Sequence, residues 1–423
     1  MRFDSREENG YNRVRMRPIS VYLHIPYCFH KCPYCDFNTY AVPRMPEDEY
    51  VSALLAELDA RAASPEFRGR TVQTVYFGGG TPSILTVRAV ERILDAIRAA
   101  FDWNRGMEIS LEANPGNVTT ETLSGYRGAG INRLSFGAQS LNSATLKALG
   151  RIHTPEQVES AVAAAGQARF ENISIDLMFG APGQILSDVE ADIRGAAALH
   201  PTHISTYGLT IEKGTPFYNS HRRGVLKLPP EEVVADMLEL STRLLGEFGF
   251  ARYEISNYAQ AGFEARHNLA YWNGDDYLGL GAGAHSFVRA GEPTDARWGR
   301  RWANFAPPAR YMEEARSRGS AESWNDTLDR RGAMFEFFFL GLRKTAGVSL
   351  ADFAAAFGVS AHAVYGEQLR VLTGHKLLQI TDHVVRLTPH GLMLADSVIE
   401  NFAEPAPDTP ADDSNDAFNG TTI

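Results

Sequence analysis

Cys28, Cys32 and Cys35 are the only cysteines in the 423 residues, and they stand in the spacing C-x3-C-x2-C. Three thiolates this close can each take one iron of a [4Fe–4S] cube, for which cysteine is the usual ligand. A cube held by three residues leaves one iron without a protein ligand. A small molecule carrying an amine and a carboxylate can chelate there. Two other readings stand beside this one: a tetrahedral zinc site with His24 or His30 as fourth ligand, and three unrelated buried thiols. An odd number of cysteines in one tight group is not a disulfide framework and fits a reducing compartment.

Other residues of unusual type lie farther along. Gly78-Gly79-Gly80-Thr81-Pro82 lacks the G-K-[ST] of a phosphate loop, but its bare backbone lets a ligand approach closely. A tight turn is the plainer alternative. Glu112 ends an apolar run, and Asp176 sits inside ISIDLMFG. A carboxylate buried without a partner is costly, so each needs a bonded or functional role. Arg151, in LGRIHT, is either part of that site or an exposed helix-end arginine.

These residues need a scaffold. Short apolar runs at 20–25, 72–77, 107–113, 131–136, 171–178 and 203–209 alternate with helical patterns at 47–62, 86–100, 119–129, 141–149, 155–168 and 186–199. Six strand–helix units predict a parallel α/β architecture, two units short of a closed eight-stranded barrel. Each run ends in residues that a packed core does not need: the cysteines, GGGTP, then Glu112 with Asn114 and Pro115, then Gln139, Asp176, and finally Tyr207 with Gly208. Functional side chains of β/α barrels gather at that end of the strands.

Residues 1–19 read as a flexible arm and 20–230 as the partial barrel. A helix over 230–249 opens the region 231–328, which holds Arg266-His267-Asn268-Leu269-Ala270-Tyr271-Trp272 and the glycine-rich 277–287; this region is expected to extend the barrel and cover its site. Residues 292–326 show no clear period. Three helices and a hairpin turning at Thr381–Asp382 make 329–402 a winged-helix-like α+β domain. The Pro/Asp-rich 403–423 is expected to be disordered. A net charge of −10 argues against a general nucleic-acid binder. No apolar run reaches the ~20 residues that span a bilayer, and the N-terminus lacks the apolar stretch of a secretory signal.

C-x3-C-x2-C with Tyr34 before the last cysteine resembles the radical S-adenosylmethionine (SAM) signature. Tyr22-x-His24-Ile25-Pro26 and GGGTP narrow the resemblance to the oxygen-independent coproporphyrinogen III oxidases and their relatives, the HemW heme chaperones. It runs from about Val21 to about Glu400. The resemblance implies a partial (β/α)6 radical SAM barrel with the cluster on Cys28, Cys32 and Cys35. It implies SAM contacts at Tyr22, Tyr34, Gly79, Gly80, Thr81, Glu112, Gln139, Arg151, Asp176, Gly208 and His285. In the family the reduced cluster cleaves SAM to methionine and a 5′-deoxyadenosyl radical, with the protein orienting the cofactors and excluding water.

Two features point to the chaperone branch. The oxidase motif continues to a fourth cysteine, where this chain has Phe37. His267-Asn268-x-x-Tyr271-Trp272 matches the H-N-x-x-Y-W motif of the HemW-like proteins. His267 is the candidate heme ligand, with Tyr271 and Trp272 stacking on the porphyrin; a hydrogen-bonded core histidine and core aromatics are the alternatives. His24 and His285 are further ligand candidates. The resemblance implies a protein that binds cluster, SAM and heme and passes heme to apo-haemoproteins such as membrane respiratory enzymes. It implies a cytoplasmic location reaching the inner membrane peripherally, and is compatible with a homodimer. The alternatives are a coproporphyrinogen III dehydrogenase and a radical enzyme acting on another tetrapyrrole.

Overall fold

The computed structural model describes residues 17–403. The arm expected over 1–19 and the tail expected over 403–423 lie, except for 17–19 and 403, outside the described residues.

Strands β1 (Ile19–Ile25), β2 (Thr71–Gly79), β3 (Asp102–Ala113), β4 (Arg133–Gln139), β5 (Asn172–Phe179) and β6 (His203–Gly208) pair in that order, all parallel. Helices α1 (Glu47–Ala63), α2 (Val87–Ala100), α3 (Thr120–Ala129), α4 (Ser143–Ala148), α5 (Pro155–Gln167) and α6 (Leu186–Ala198) fall between them. Local chemistry sets their ends. Thr86 Oγ1 accepts from Ala89 N at the start of α2, which buries Val90, Ile93, Leu94 and Ile97 along one stripe. Pro155 opens α5 behind a Thr154–Gln157 capping box.

The sheet does not close. Beyond β6 it continues antiparallel with β7 (Ala251–Arg252) and β8 (Asn257–Ala259), with β8 against β6. On the other edge β9 (Tyr277–Leu280) joins β1 in parallel, followed by antiparallel β10 (His285–Thr294), β11 (Arg297–Asn304) and β12 (Glu322–Leu328). The expected open barrel of six parallel units is therefore the centre of a twelve-stranded sheet.

Side chains alternate along each strand with period two. One face carries Val21, Leu23, Ile25, Val75, Phe77, Leu111, Leu134 and Ile175, all buried in the core that holds the helices. Each such side chain contributes roughly 1.5–3 kcal/mol by leaving water. The opposite face carries Ser20, Tyr22, His24, Thr74, Tyr76, Glu108, Ser110, Glu112, Arg133, Ser135, Ser174, Asp176, His203 and Ser205. Parallel strands covered on both sides are usually apolar on both. Here the concave face is polar and bonded to itself: Thr74 Oγ1 donates to Ser20 Oγ (2.9 Å), and Ser174 Oγ pairs with His203 Nδ1 (2.8 Å). It is a trough built for a polar occupant.

The meander β10–β12 spans most of 292–326, where the sequence shows no period. Arg297, Arg300 and Arg301 interrupt the alternation, and only residues such as Trp302 reach the core. The glycine-rich 277–287 forms β9 and the turn into β10, so it widens the sheet. Between β6 and β9 lie α7 (Pro216–Arg222), α8 (Glu231–Glu247) and α9 (Arg266–Trp272), and α10 (Pro308–Arg318) follows β11.

A second core forms from Phe338, Phe353, Tyr365, Leu369, Val385 and Phe402. It belongs to α11 (Arg330–Gly341), α12 (Leu350–Phe357) and α13 (Ala361–Gly374), with the three-stranded sheet β13 (Val348–Ser349), β15 (Val384–Leu387) and β14 (Leu378–Thr381). The winged-helix pattern is present, but the hairpin turns one residue later than expected. Asp382 (φ 50°) and His383 (φ 64°) are its centre, the left-handed pair that two-residue hairpins require. Arg301 grips Glu336 through both carboxylate oxygens (2.9 Å each), and Trp298 stacks on Phe357 (4.8 Å), joining this unit to the meander.

Candidate functional site

The cysteines lie in the loop that leaves the C-terminal end of β1. The loop closes on itself: Tyr40 N donates to Pro26 O (2.7 Å), Val42 N to Cys28 O (2.9 Å) and Cys35 N to Cys32 O (3.1 Å). Lys31 Nζ caps the carbonyls of Phe37 and Thr39. GGGTP, leaving β2, is laid against the loop. Gly80 N donates to Ile25 O (2.8 Å) and Thr81 N to Tyr27 O (2.9 Å). A Cβ on Gly80 would stand 2.6 Å from Tyr27 O and 3.0 Å from Cys28 Sγ. A Cβ on Gly79 (φ 112°) would stand 2.7 Å from the His24 ring. These glycines are required by close approach, as well as by the turn.

Each sulfur has its own polar neighbour, drawn from a different part of the chain. Thr81 Oγ1 donates to Cys28 Sγ (3.3 Å), Arg151 Nη1 to Cys32 Sγ (3.5 Å), and Thr39 Oγ1 lies 3.9 Å from Cys35 Sγ. Among the described residues no three His, Cys, Asp or Glu side chains are grouped to hold a single metal ion. A zinc site would need that convergence. A cubane does not, because each cysteine binds a different iron. His24 has no nitrogen free for a metal, whereas His30 has one ring nitrogen bonded. His24 Nε2 donates to Asn38 O (3.0 Å) while Nδ1 takes the Tyr22 hydroxyl (3.0 Å), and His30 Nε2 donates to Gly150 O (3.1 Å). The donor set fits a cluster on three thiolates.

Behind the loop, the trough presents the other predicted residues. Glu112 accepts from Gly79 N (3.1 Å) and from the Tyr76 hydroxyl (2.9 Å), tying β3 to β2. Burial pushes its carboxyl up to about 7. Tyr22 stacks on Tyr76, with centroids 6.2 Å apart. Asp176 accepts from Ser135 Oγ (2.9 Å) and Ser174 Oγ (3.1 Å), and burial raises it too. Gln139 ends β4 at φ 67°, a strained value for a residue with a side chain. Arg151 Nη2 donates to Gly137 O (2.7 Å), while its buried Nε has no partner, leaving a donor for an anionic group. Tyr34 lies beside Cys32 and Arg151 and packs on Phe217 of α7. Gly208 ends β6, where an added Cβ would meet the Phe179 ring at 3.3 Å. His285 opens β10 on the far side of His24 and tilts toward Trp324.

His267 meets this constellation through the rings of Tyr76 and Tyr22, and Tyr271 lies beyond it, bonded to His267. Helix α9 packs near the N-terminal ends of the strands, where Glu108 accepts from Arg266 N and His267 N, so it plugs the trough at the opposite end and does not cover the mouth. His267 is 1% exposed. The Thr74 hydroxyl, which donates to Ser20, takes its Nδ1–H (2.8 Å), and its Nε2 accepts from Tyr271 Oη (3.0 Å). Its ring stacks on Tyr76 at 5.0 Å, and burial lowers its pKa to about 3. Both nitrogens are therefore bonded within the core. Tyr271 packs edge-on to His267 and Tyr277. Arg343 lies over the Trp272 ring (5.5 Å), so that indole joins the second core to the barrel.

Sequence reasoning missed the residues that hold the cysteine loop from behind. Asn38 Nδ2 donates to Ala282 O (2.9 Å) and Ala306 O (3.0 Å). Tyr50 Oη donates to His24 O (2.7 Å) and accepts from Ala282 N (2.9 Å). The buried Glu57 accepts from Gly281 N (3.1 Å), Asn304 Nδ2 (2.8 Å) and Tyr311 Oη (2.8 Å). One signal was available: Glu57 is an acid on the stripe of α1 that otherwise carries Tyr50, Leu54 and Leu58.

The model of the radical SAM superfamily matches residues 22–195, and that of the HemN C-terminal domain matches 328–394. The heme chaperone HemW of Bacillus subtilis is 37% identical over 90% of this chain and 98% of its own length. Those of Lactococcus lactis and Escherichia coli are each 36% identical, over 91% and 92% of this chain and 97% and 99% of their own. Among solved structures, the coproporphyrinogen III oxidase HemN of Escherichia coli superposes with a TM-score of 0.79 at 23% identity, covering 92% of this chain and 91% of that one; this likeness is one of fold.

Proposed function

The chain belongs to the HemW heme chaperone family of the radical SAM superfamily, and on that premise we propose that it binds a [4Fe–4S] cluster, SAM and heme and delivers heme to apo-haemoproteins. The observation that carries the chaperone reading over the oxidase one is the similarity to HemW chaperones over nine-tenths of the chain, with Phe37 where the oxidase motif has its fourth cysteine.

Cys28, Cys32 and Cys35 would hold the cluster, which, when bound and reduced, supplies the electron for SAM cleavage. The chain's own residues do the rest. Gly78–Gly80 offer close backbone approach beside Cys28. The Nε of Arg151 is free for the SAM carboxylate, and the carboxyl groups of Glu112 and Asp176 offer hydrogen-bond acceptors to the rest of the molecule. Tyr34 and Phe217 shield Cys32 from solvent. Heme would reach apo-haemoproteins, among them membrane respiratory enzymes. No helix among the described residues is long and apolar enough to cross a membrane.

The test pairs two assays on cluster-reconstituted protein under anaerobic conditions. With SAM, a reductant and coproporphyrinogen III, no protoporphyrinogen should form. With hemin, a saturable Soret band should appear, and the hemin should pass to an apo-haemoprotein. Porphyrinogen turnover would make the chain an oxidase and overturn the reading.

A further inference from the structure

Asp192 is an acid on the buried stripe of α6, between Val189 and Ala196 and next to Ile193. It is 3% exposed, and burial pushes its carboxyl up to about 6. A carboxylate is a costly way to fill that space unless its bonds are needed. They go to the segment that leaves β4. Ser140 Oγ donates to it, lying 2.9 and 2.8 Å from the two oxygens, and Leu141 N donates to Oδ1 (2.7 Å). Ser140 Oγ in turn accepts from Asn142 N (2.9 Å), and Asn142 Nδ2 donates to Asp188 Oδ1 (3.2 Å), one turn earlier on α6. Gly195, one turn later, leaves the space that Leu141 takes: an added Cβ there would stand 2.7 Å from Leu141 Cδ1. Asp188, Asp192 and Gly195 share one face of the helix, and that face is fitted to residues 140–142.

The backbone just before this segment is irregular. The three steps of β4 from Phe136 to Gln139 pair with the two steps of β5 from Ile175 to Leu177. The extra residue makes a bulge, and a bulge re-aims the side chains beside it. Gln139 then takes φ 67°, a left-handed value that a residue with a Cβ keeps only where its surroundings impose it. Its amide lies beside Gly137, where an added Cβ would stand 3.1 Å from Gln139 Nε2 and 3.7 Å from Arg151 Nη2. The far end of the segment meets the cysteine loop. Arg151 N donates to Leu146 O (2.9 Å) in α4, Arg151 Nη1 donates to Cys32 Sγ (3.5 Å), and Gly150 O accepts from His30 Nε2 (3.1 Å).

We propose that Asp192 is a positioning residue for the SAM site, clamping the exit of β4 so that Gln139 and Arg151 stand together beside Cys32. This rests on the proposed function, in which SAM is bound at those residues. Asp192 acts through Ser140 and Leu141. One carboxylate takes both the buried hydroxyl and the backbone N–H, and without it the two donors would be left unpaired. The segment would then shift to find other acceptors, and Gln139 would relax out of its left-handed conformation. The two groups that flank Gly137 would lose their common aim.

The test compares the full-length chain with Asp192→Ala, Asp192→Asn and Ser140→Ala. In the cluster-free proteins, hydrogen exchange over 139–151 should speed up about tenfold or more in Asp192→Ala, with β1–β3 unchanged. In cluster-reconstituted proteins, equilibrium dialysis should show Asp192→Ala binding SAM about tenfold or more weakly at unchanged iron content. Asp192→Asn keeps the shape and one acceptor for Leu141 N, so its SAM affinity should fall between. Ser140→Ala should weaken SAM binding in the same direction. A carboxylate that only stabilised α6 would move the thermal midpoint and leave the SAM affinity of the folded protein where it was. SAM binding by folded Asp192→Ala as tight as that of the unsubstituted chain overturns the positioning role and leaves the proposed function standing. If Asp192→Ala does not fold, unchanged affinity in both Asp192→Asn and Ser140→Ala overturns it. If the unsubstituted chain binds no SAM, the proposed function and the positioning role both fail, while exchange over 139–151 still shows whether the clamp exists.

Discussion

Thr81 Oγ1 stands 3.3 Å from Cys28 Sγ, donating a hydrogen bond from the second strand's loop to a ligand in the first strand's loop. Thr81, proposed as a SAM contact, thus also reaches one of the proposed cluster ligands. Hydrogen bonds to cluster sulfurs stabilise the more negative, reduced state and raise its potential. Thr81→Val keeps the shape and removes the donor. The reconstituted variant should retain its iron, yet its midpoint potential should fall, leaving severalfold less reduced cluster at a fixed potential. An EPR-monitored redox titration checks this, and an unchanged midpoint would show that the bond has no electronic effect.

Gly80 has no room for a side chain between Tyr27 O and Cys28 Sγ. Gly80→Ala must push the cysteine loop off GGGTP, at about 1–3 kcal/mol, as overpacking generally costs. Iron per chain after reconstitution should drop by at least half, and the thermal midpoint of the cluster-free protein should fall. Full iron loading in the variant would mean that the loop is slack enough to yield.

The Glu112 carboxyl, held at about 7 by burial, should make the cluster-free protein lose stability as pH rises. The folded state keeps a proton that the unfolded chain releases near 4.5. That contribution is complete below about 4.5 and is lost as pH climbs through about 7. Relative to Glu112→Gln, which does not titrate, the unsubstituted chain should lose about 3 kcal/mol over that window. Paired urea unfolding curves at several pH values measure the difference. His267, held neutral by burial, acts in the opposite sense, losing stability as pH falls from 6.5 toward 3, but it is common to both proteins and cancels. Parallel stability profiles would argue against the raised carboxyl.

His267→Ala should be a stability variant. It strands the buried Tyr271 hydroxyl, at about 1–3 kcal/mol for a polar group left unpaired, while the Thr74 hydroxyl keeps its bond to Ser20 Oγ. A lowered urea midpoint with unchanged iron loading of the folded protein is expected. A normal midpoint would mean that water replaces the ring at no cost.

Much of this molecule could be read from its residues, and the failures have a common cause. The six parallel strands and their helices follow from alternating patterns, and the cysteines with GGGTP announced themselves by type and spacing. Less obvious was that the polar members of SVYLHI, EISLEA and RLSFGAQ all line one trough. That is a property of pairing register, although period-two alternation hinted at it. The roles of Asn38, Tyr50 and Glu57 were hidden because their partners lie near 281–311, more than two hundred residues away. The partners of His267 were hidden in the same way. A histidine in a motif suggests a ligand, while only the fold shows Thr74 and Tyr271 occupying its nitrogens. The meander went unseen because its arginines interrupt the alternation that would have revealed it.

The bonds of Asn38 to Ala282 and Ala306, of Glu57 to Gly281 and Asn304, and of Arg61 to Glu322 also impose an order on biosynthesis. The cysteines are among the first described residues to leave the ribosome. The backing that fixes their loop is not translated until most of the chain has been made. A nascent chain thus exposes three thiols long before it can hold them in place, so metal delivery belongs after the segment 281–322 has emerged, and products truncated before it should be poor competitors for iron.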